Sequence, residues 1–226
     1  MKKFITYIAL QDISPARYRV HDEKHRNLEV RTEKNGEITE LFFPIVAAMY
    51  ANAEKGEKVK VLAVHDKRIN DPDYKEIIEG NKKKLTENIE KIKLVKGFEY
   101  EIEYLEISDV QTSQNHLKTF LSLMKKTEDD DVLYLDISYG NKPTPIVEIL
   151  ALQGAYSLKR NVMMGGIYYG EKLFNKDDFY IYDITPLFNM SRMVERLAPL
   201  NYEEALEIIE NSIRPYVDDE GEKDEQ

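Results

Sequence analysis

Cysteine is absent from the sequence. Disulfides and thiolate metal sites are thereby excluded, and a reducing compartment, the cytoplasm, is the expected location. Long apolar runs are absent too: no stretch approaches the roughly 18 residues that a membrane-spanning helix needs, so no membrane partner is expected. The start, MKKFITYIAL, is basic and then apolar, like a signal peptide. Its apolar part is short, has no small-residue cleavage site and runs into Gln11 and Asp12, which fits a buried first strand better. Positive charge is also short. The net charge of −10 argues against general affinity for duplex nucleic acid. It leaves room for one small anionic ligand, because the local field matters more than the sum. Much of the acidity sits in VDDEGEKDEQ, residues 217–226, which is expected to be a disordered tail or a linker stub.

Several motifs are missing. No G-x-G-x-x-G follows the first apolar run, and no G-x-x-x-x-G-K-[ST] or G-x-S-x-G occurs anywhere. The glycines of MMGGIYYG fall in and after a strand-like run, where close packing accounts for them. His21 and His25, in HDEKH, have the i, i+4 spacing of a helical zinc pair, but no third ligand accompanies them, so no metal is expected. No cofactor is implied.

The 226 residues suit one domain with appendages. KFITYIAL, KVKVLAVH and VLYLDIS are short, continuously apolar runs and are predicted as central strands. FEYEIEYLEI alternates strictly and belongs near an edge. NVMMGGIYYG and FYIYDI complete a predicted set of six. Helical patterns lie between them. ELFFPIVAAMYANAEKG carries Pro44 in its first turn. The segment from Asp73 to Lys96 aligns Ile77, Ile78, Leu85, Ile89, Ile92 and Leu94. From Gln111 to Lys126, Leu117, Phe120, Leu121 and Met124 are expected inward. Pro143 to Leu158 is apolar almost throughout. Helices follow at Pro186 to Leu197 and Tyr202 to Ile213. RYRV and LEVRT suggest a β-ribbon, and Asn35-Gly36 is a turn signal. Alternation of strand and helix predicts an α/β fold: Rossmann-like, doubly wound, with a mainly parallel six-stranded sheet and helices on both faces. In the common order 3-2-1-4-5-6 the first and fourth strands are neighbours at the switch point, where ligands bind at the carboxyl ends of strands. The loops after those two strands are therefore expected to meet.

The stretch VLYLDISYGNKPTP, Val132 to Pro145, ends a buried strand in polar residues. Pro143 is suited to a first helical position, and the turn before it presents backbone N–H groups at a positive helix end. Gly140 permits a tight turn or a close ligand approach. Ser138 offers a donor to a phosphate oxygen, Asn141 a reader for a base or ribose edge, Lys142 a point charge and Tyr139 a stacking face. Asp136 is expected to brace the loop by accepting backbone N–H bonds. The other loop, QDISPARYRV, brings Gln11, Asp12, Ser14, Arg17 and Arg19.

These residues resemble a known family. DISYGNK fits D-x-[ST]-x-x-x-[RK] through Asp136, Ser138 and Lys142, the signature of the CRISPR-associated Rossmann fold, or CARF, domain. DISYGNKPTP is similar to the D-I-T-H-G-F-R-x-x-P motif of one CARF branch. Ser138 stands where that motif has Thr, Tyr139 where it has His, Lys142 where it has Arg, and Pro145 at its closing Pro. Asn141 replaces an aromatic residue, a departure that bears on base contacts. The opening strand with its polar loop and RYRV, followed by TELFFPIVAAMY, resembles the same branch more weakly. The likeness covers about residues 3 to 197.

The resemblance implies a homodimer whose ligand loops face each other across a twofold axis. It implies binding of a cyclic oligoadenylate made by type III CRISPR complexes, most often cyclic tetra-adenylate. Ligand contacts are then expected from Gln11, Asp12, Ser14, Arg17, Asp136, Ser138, Tyr139, Gly140, Asn141 and Lys142. After Leu197 come a helix over 198–216 and the acidic tail, so an effector domain is expected either fused beyond a linker or supplied in trans. The alternative within the family is a metal-independent ring nuclease, with Ser14 and Lys142 as its catalytic residues. It would hold a ribose 2′-hydroxyl in line with the adjacent phosphorus. Outside the family stand a doubly wound enzyme acting on another small nucleotide and a bare dimerisation module.

Overall fold

A computed structural model describes residues 1–20, 28–29, 40–172 and 178–217. The strands are β1 (Lys2–Tyr7), β2 (Arg17–Arg19), β3 (Lys58–Asp66), β4 (Glu99–Ile107), β5 (Val132–Asp136), β6 (Met163–Lys172) and β7 (Asp178–Asp183). The helices are α1 (Pro44–Asn52), α2 (Pro72–Lys96), α3 (Ser113–Lys126), α4 (Thr144–Leu158), α5 (Thr185–Leu197) and α6 (Tyr202–Val217). The chain divides into two compact units, Met1–Asp183 and Ile184–Gln226. The first is α/β and holds the whole sheet. The second comprises α5 and α6.

The sheet has seven strands in the order β2-β7-β6-β5-β1-β3-β4. Every pairing is parallel except β6 with β7. The six predicted strands fall in the expected order, with β1 and β5 adjacent. The count of six is corrected by β2. Its central Tyr18 is buried between exposed Arg17 and Arg19, with its ring edge-on to Phe179 at 5.8 Å. That alternation suits a parallel strand on β7. The expected ribbon with LEVRT falls outside the described residues, apart from Leu28 and Glu29. Asn35-Gly36, the His21 and His25 pair and the acidic tail beyond Val217 lie outside them.

The central strands are buried on both faces, which continuous apolar runs demand. Lys3 is buried as well, held by Asp131 at 2.7 Å. Helix boundaries follow local chemistry. Asp71 caps α2 through the Asp73 N–H, and Gly97 ends it in the left-handed region at φ 73. Thr112 caps α3. Gly165 leaves no room for a side chain beside the Tyr134 ring, in keeping with close packing.

Two apolar faces differ from expectation. In α2 the buried side runs through Ile78, Leu85, Ile89 and Ile92, while Leu94 is 84% exposed. Two residues beyond Ile92 is about 200° around the helix, away from the core. In α3, Thr119 and Leu123 are the buried pair. Phe120 and Met124 pack toward Gly154 of α4. Leu117 and Leu121 stand 63% and 53% exposed.

Candidate functional site

Register brings the site together. Thr6 of β1 lies opposite Asp136 of β5 on one side and Ala63 of β3 on the other, so β1 and β5 end within a residue of each other and β3 runs on to Asp66. Asp136 is wholly buried and ends its strand as a hub. It accepts from Thr6 Oγ1 at 2.9 Å, from the Ser138 N–H at 2.9 Å and from the Ser138 hydroxyl. Burial pushes its pKa up, against the pull of these donors. Ser138 Oγ in turn accepts the Gly170 N–H at 2.7 Å. A Cβ on Gly170 would collide with Pro44, so the close approach of β6 requires glycine.

The loop then turns at Gly140, with φ +110. The Tyr139 hydroxyl donates to the Phe42 carbonyl at 3.1 Å and its ring meets Phe43 edge-on at 5.5 Å. The expected stacking face is thereby anchored to the segment before α1. Pro143 is the N-cap of α4 rather than its first residue, and the Thr144 N–H donates to the Asn141 carbonyl at 2.8 Å. Lys142 is exposed and makes no hydrogen bond or ion pair among the described residues.

The loop after β1 contributes unevenly. Gln11 is exposed beside the Ser138 loop. Asp12 turns to α2, where Lys84 donates to it. Ser14 is exposed, and Arg17 sits 3.9 Å from Glu40.

A third segment, after β3, joins them. Asp66 is wholly buried and accepts from Tyr7 Oη at 2.9 Å and from Arg68 Nε at 3.0 Å. Arg68 Nη2 also donates to Asp66 and, at 3.2 Å, to Asn141 Oδ1. The guanidinium carbon lies 5.4 Å from the centre of the Tyr74 ring. The three segments enclose a cleft of about 310 Å³. Ala9, Leu10 and Gln11 line one wall, Arg68 and Tyr74 another, and Ser138, Tyr139 and Gly140 the third. Asp12, Ser14, Arg17, Asn141 and Lys142 do not line it.

Asp66, Arg68 and Tyr74 were not anticipated from the sequence. The signal was present: KVKVLAVHD, like VLYLD, is a buried apolar strand that ends in Asp. Glu148 was also unforeseen. It lies one turn into α4, wholly buried, and neither carboxyl oxygen has a hydrogen-bond partner among the described residues. Burial first, and the charge of Asp136 second, push its pKa well above the ordinary value.

No group of three or more His, Asp or Glu side chains placed to hold a metal ion occurs among the described residues. No helix among them is long and apolar enough to cross a membrane. Comparison with models of protein families and with curated proteins finds no match to this chain.

Proposed function

We propose that the chain is a cytoplasmic sensor of cyclic oligoadenylate, with cyclic tetra-adenylate the expected ring, bound across a homodimer in type III CRISPR defence. One observation carries this reading: Gln11 and Ser138 to Gly140, from loops after two adjacent central strands, line a single cleft. That is where a parallel α/β sheet binds its ligand. The motif Asp136, Ser138, Lys142 supplies the resemblance, and Lys142 stands exposed beside the cleft, ready for a phosphate.

Two further observations support it. A cleft of about 310 Å³ is at the small end of ligand sites, so a ring of several nucleotides needs two clefts facing each other. The side-by-side helices α3 and α4 expose Leu117, Leu121, Ile146 and Leu150, an apolar face suited to a second copy. The reading takes the sheet as doubly wound, with α1 against α2 in one layer and α3 against α4 in the other.

Calorimetric titration with cyclic tetra-adenylate tests it. Wild type is expected to bind one ring per two chains, and Lys142→Ala to lose that binding. Absence of heat with wild type, or undiminished binding by Lys142→Ala, overturns the reading. Because Ser14 does not line the cleft, the ring is expected to stay intact during incubation in EDTA. Linear products would instead favour the ring nuclease.

A further inference from the structure

We infer that Arg68 is a direct anion contact of the cleft, gripping a phosphate of the bound nucleotide, with Asp66 and Asn141 as its positioning residues. This deepens, and rests on, the reading of the cleft as a nucleotide site. Arg68 lies outside the Asp136–Lys142 motif and comes from the 3-10 turn Lys67–Asn70 that follows β3.

The geometry is that of a preset guanidinium. Asp66 sits at zero exposure beneath the guanidinium and takes Nε and Nη2, while Asn141 Oδ1 takes Nη2 from the side. Those bonds take the Nε hydrogen and both Nη2 hydrogens, which leaves Nη1 to meet an anion, and the Arg68 side chain remains 24% exposed on the cleft wall. The Tyr7 hydroxyl donates to the same carboxylate at 2.9 Å, which fixes Asp66 in turn. The Tyr74 ring flanks the guanidinium on the cleft side and restricts its swing. An arginine held this way loses little rotamer freedom when its Nη1 hydrogens meet a phosphate oxygen, whereas a lysine ammonium would have to be ordered on binding. Asn141 links the two halves of the site: the motif loop orients the arginine of the neighbouring segment. The departure at Asn141 from the family motif therefore has a local purpose in this chain.

The test compares wild type, Arg68→Lys and Arg68→Ala by calorimetric titration with cyclic tetra-adenylate across a series of salt concentrations. Arg68→Ala is expected to bind about 10- to 100-fold more weakly. Its plot of log affinity against log salt is expected to be shallower, by about one phosphate contact per chain. Arg68→Lys should keep the wild-type slope yet fall between the two in affinity, since charge remains and the positioning by Asp66 and Asn141 is lost. A purely structural role would lower thermal stability and leave the slope unchanged. An unchanged slope in Arg68→Ala, or full affinity in that variant, overturns the inference. Should wild type not bind cyclic tetra-adenylate, the functional reading falls, and the same variants are titrated with adenosine monophosphate and with inorganic pyrophosphate. An Arg68-dependent response to either would uphold the anion contact alone; no response by wild type to both would overturn it as well.

Discussion

Asp136 holds Ser138 by two donors at once, its N–H at 2.9 Å and its hydroxyl, both on Oδ1. The hydroxyl also receives the Gly170 N–H, so β5, its loop and β6 are tied through one oxygen. Removing it in Ser138→Ala leaves a part-buried N–H and a buried carboxylate each short of a partner. The expected loss is about 1–3 kcal/mol of stability. Urea unfolding should report it as a lower midpoint with an unchanged slope.

Gly140→Ala acts on the same loop by a different route. The backbone there has φ +110, and an added Cβ would meet Thr144 at 3.2 Å and the Tyr7 ring at 3.4 Å. Strain of about 1–3 kcal/mol is expected. The loop should relieve it by moving, so ligand affinity should fall together with melting temperature. An alanine variant that melts and binds as wild type does would show that the turn tolerates a side chain.

Much of this arrangement is legible in the sequence, for physical reasons that particular residues make plain. The continuous apolar runs ending at Tyr7, Asp66 and Asp136 demand burial on both faces, which places them centrally. The strict alternation of FEYEIEYLEI fits its edge position as β4. What escaped was the fate of single side chains. Leu117 and Leu121 obey helical periodicity, yet periodicity states only that residues share a face, and α4 covers part of that face. Arg68 sits in a charged segment, HDKRIN, which reads as solvated; only the buried Asp66 behind it reveals a fixed arginine. Glu148 stands amid an apolar helix, where one acidic residue in a run of hydrophobics reads as the solvent side. Asp12, in the loop after β1, is drawn off by Lys84, and Arg17 opens β2 and sits beside Glu40, so neither lines the cleft.

Glu148 makes a prediction about pH. A carboxyl whose folded pKa is raised above its ordinary value of 4.5 adds stability in its protonated form, and that stability is lost as pH climbs through the folded value. Glu148→Gln removes the ionisation and keeps the shape. Melting curves should show wild type and variant close together near pH 4.5, with the variant increasingly the more stable as pH is raised from there. A constant difference across that range would mean that Glu148 has an ordinary pKa in the fold.

Lys3 and Asp131 form an ion pair at 2.7 Å with side chains 3% and 2% exposed. Asp131 also accepts the Glu128 N–H at 2.7 Å, so it ties the start of β1 to the turn before β5. Asp131→Ala would strand a buried ammonium, at a cost of about 3–5 kcal/mol. Replacing both partners, as Lys3→Met with Asp131→Leu, should recover much of that loss, because no charge then remains buried. Chemical denaturation of the single and double variants measures the difference.

The proposed dimer would use the apolar residues that α3 and α4 expose. Ile146 and Leu150 are one turn apart on α4 at 61% and 50% exposure, and Leu117 and Leu121 repeat the spacing on α3. Single exposed apolar side chains are ordinary on a protein surface, but these four stand at one-turn spacing on two packed helices, and a joint apolar patch is what water disfavours. In a twofold dimer every substitution counts twice. Burying a leucine is worth about 1.5–3 kcal/mol, so Leu150→Glu, which removes two and adds two charges, should weaken association by about 100-fold or more. Leu150 is exposed in the single chain, so its melting temperature as a monomer should barely change. Sedimentation velocity over a concentration series separates the outcomes. Wild type is expected as a dimer where Leu150→Glu is a monomer. A monomeric wild type, or a variant that dimerises as well as wild type, would remove this face from the interface, and the two clefts would have to meet by another surface.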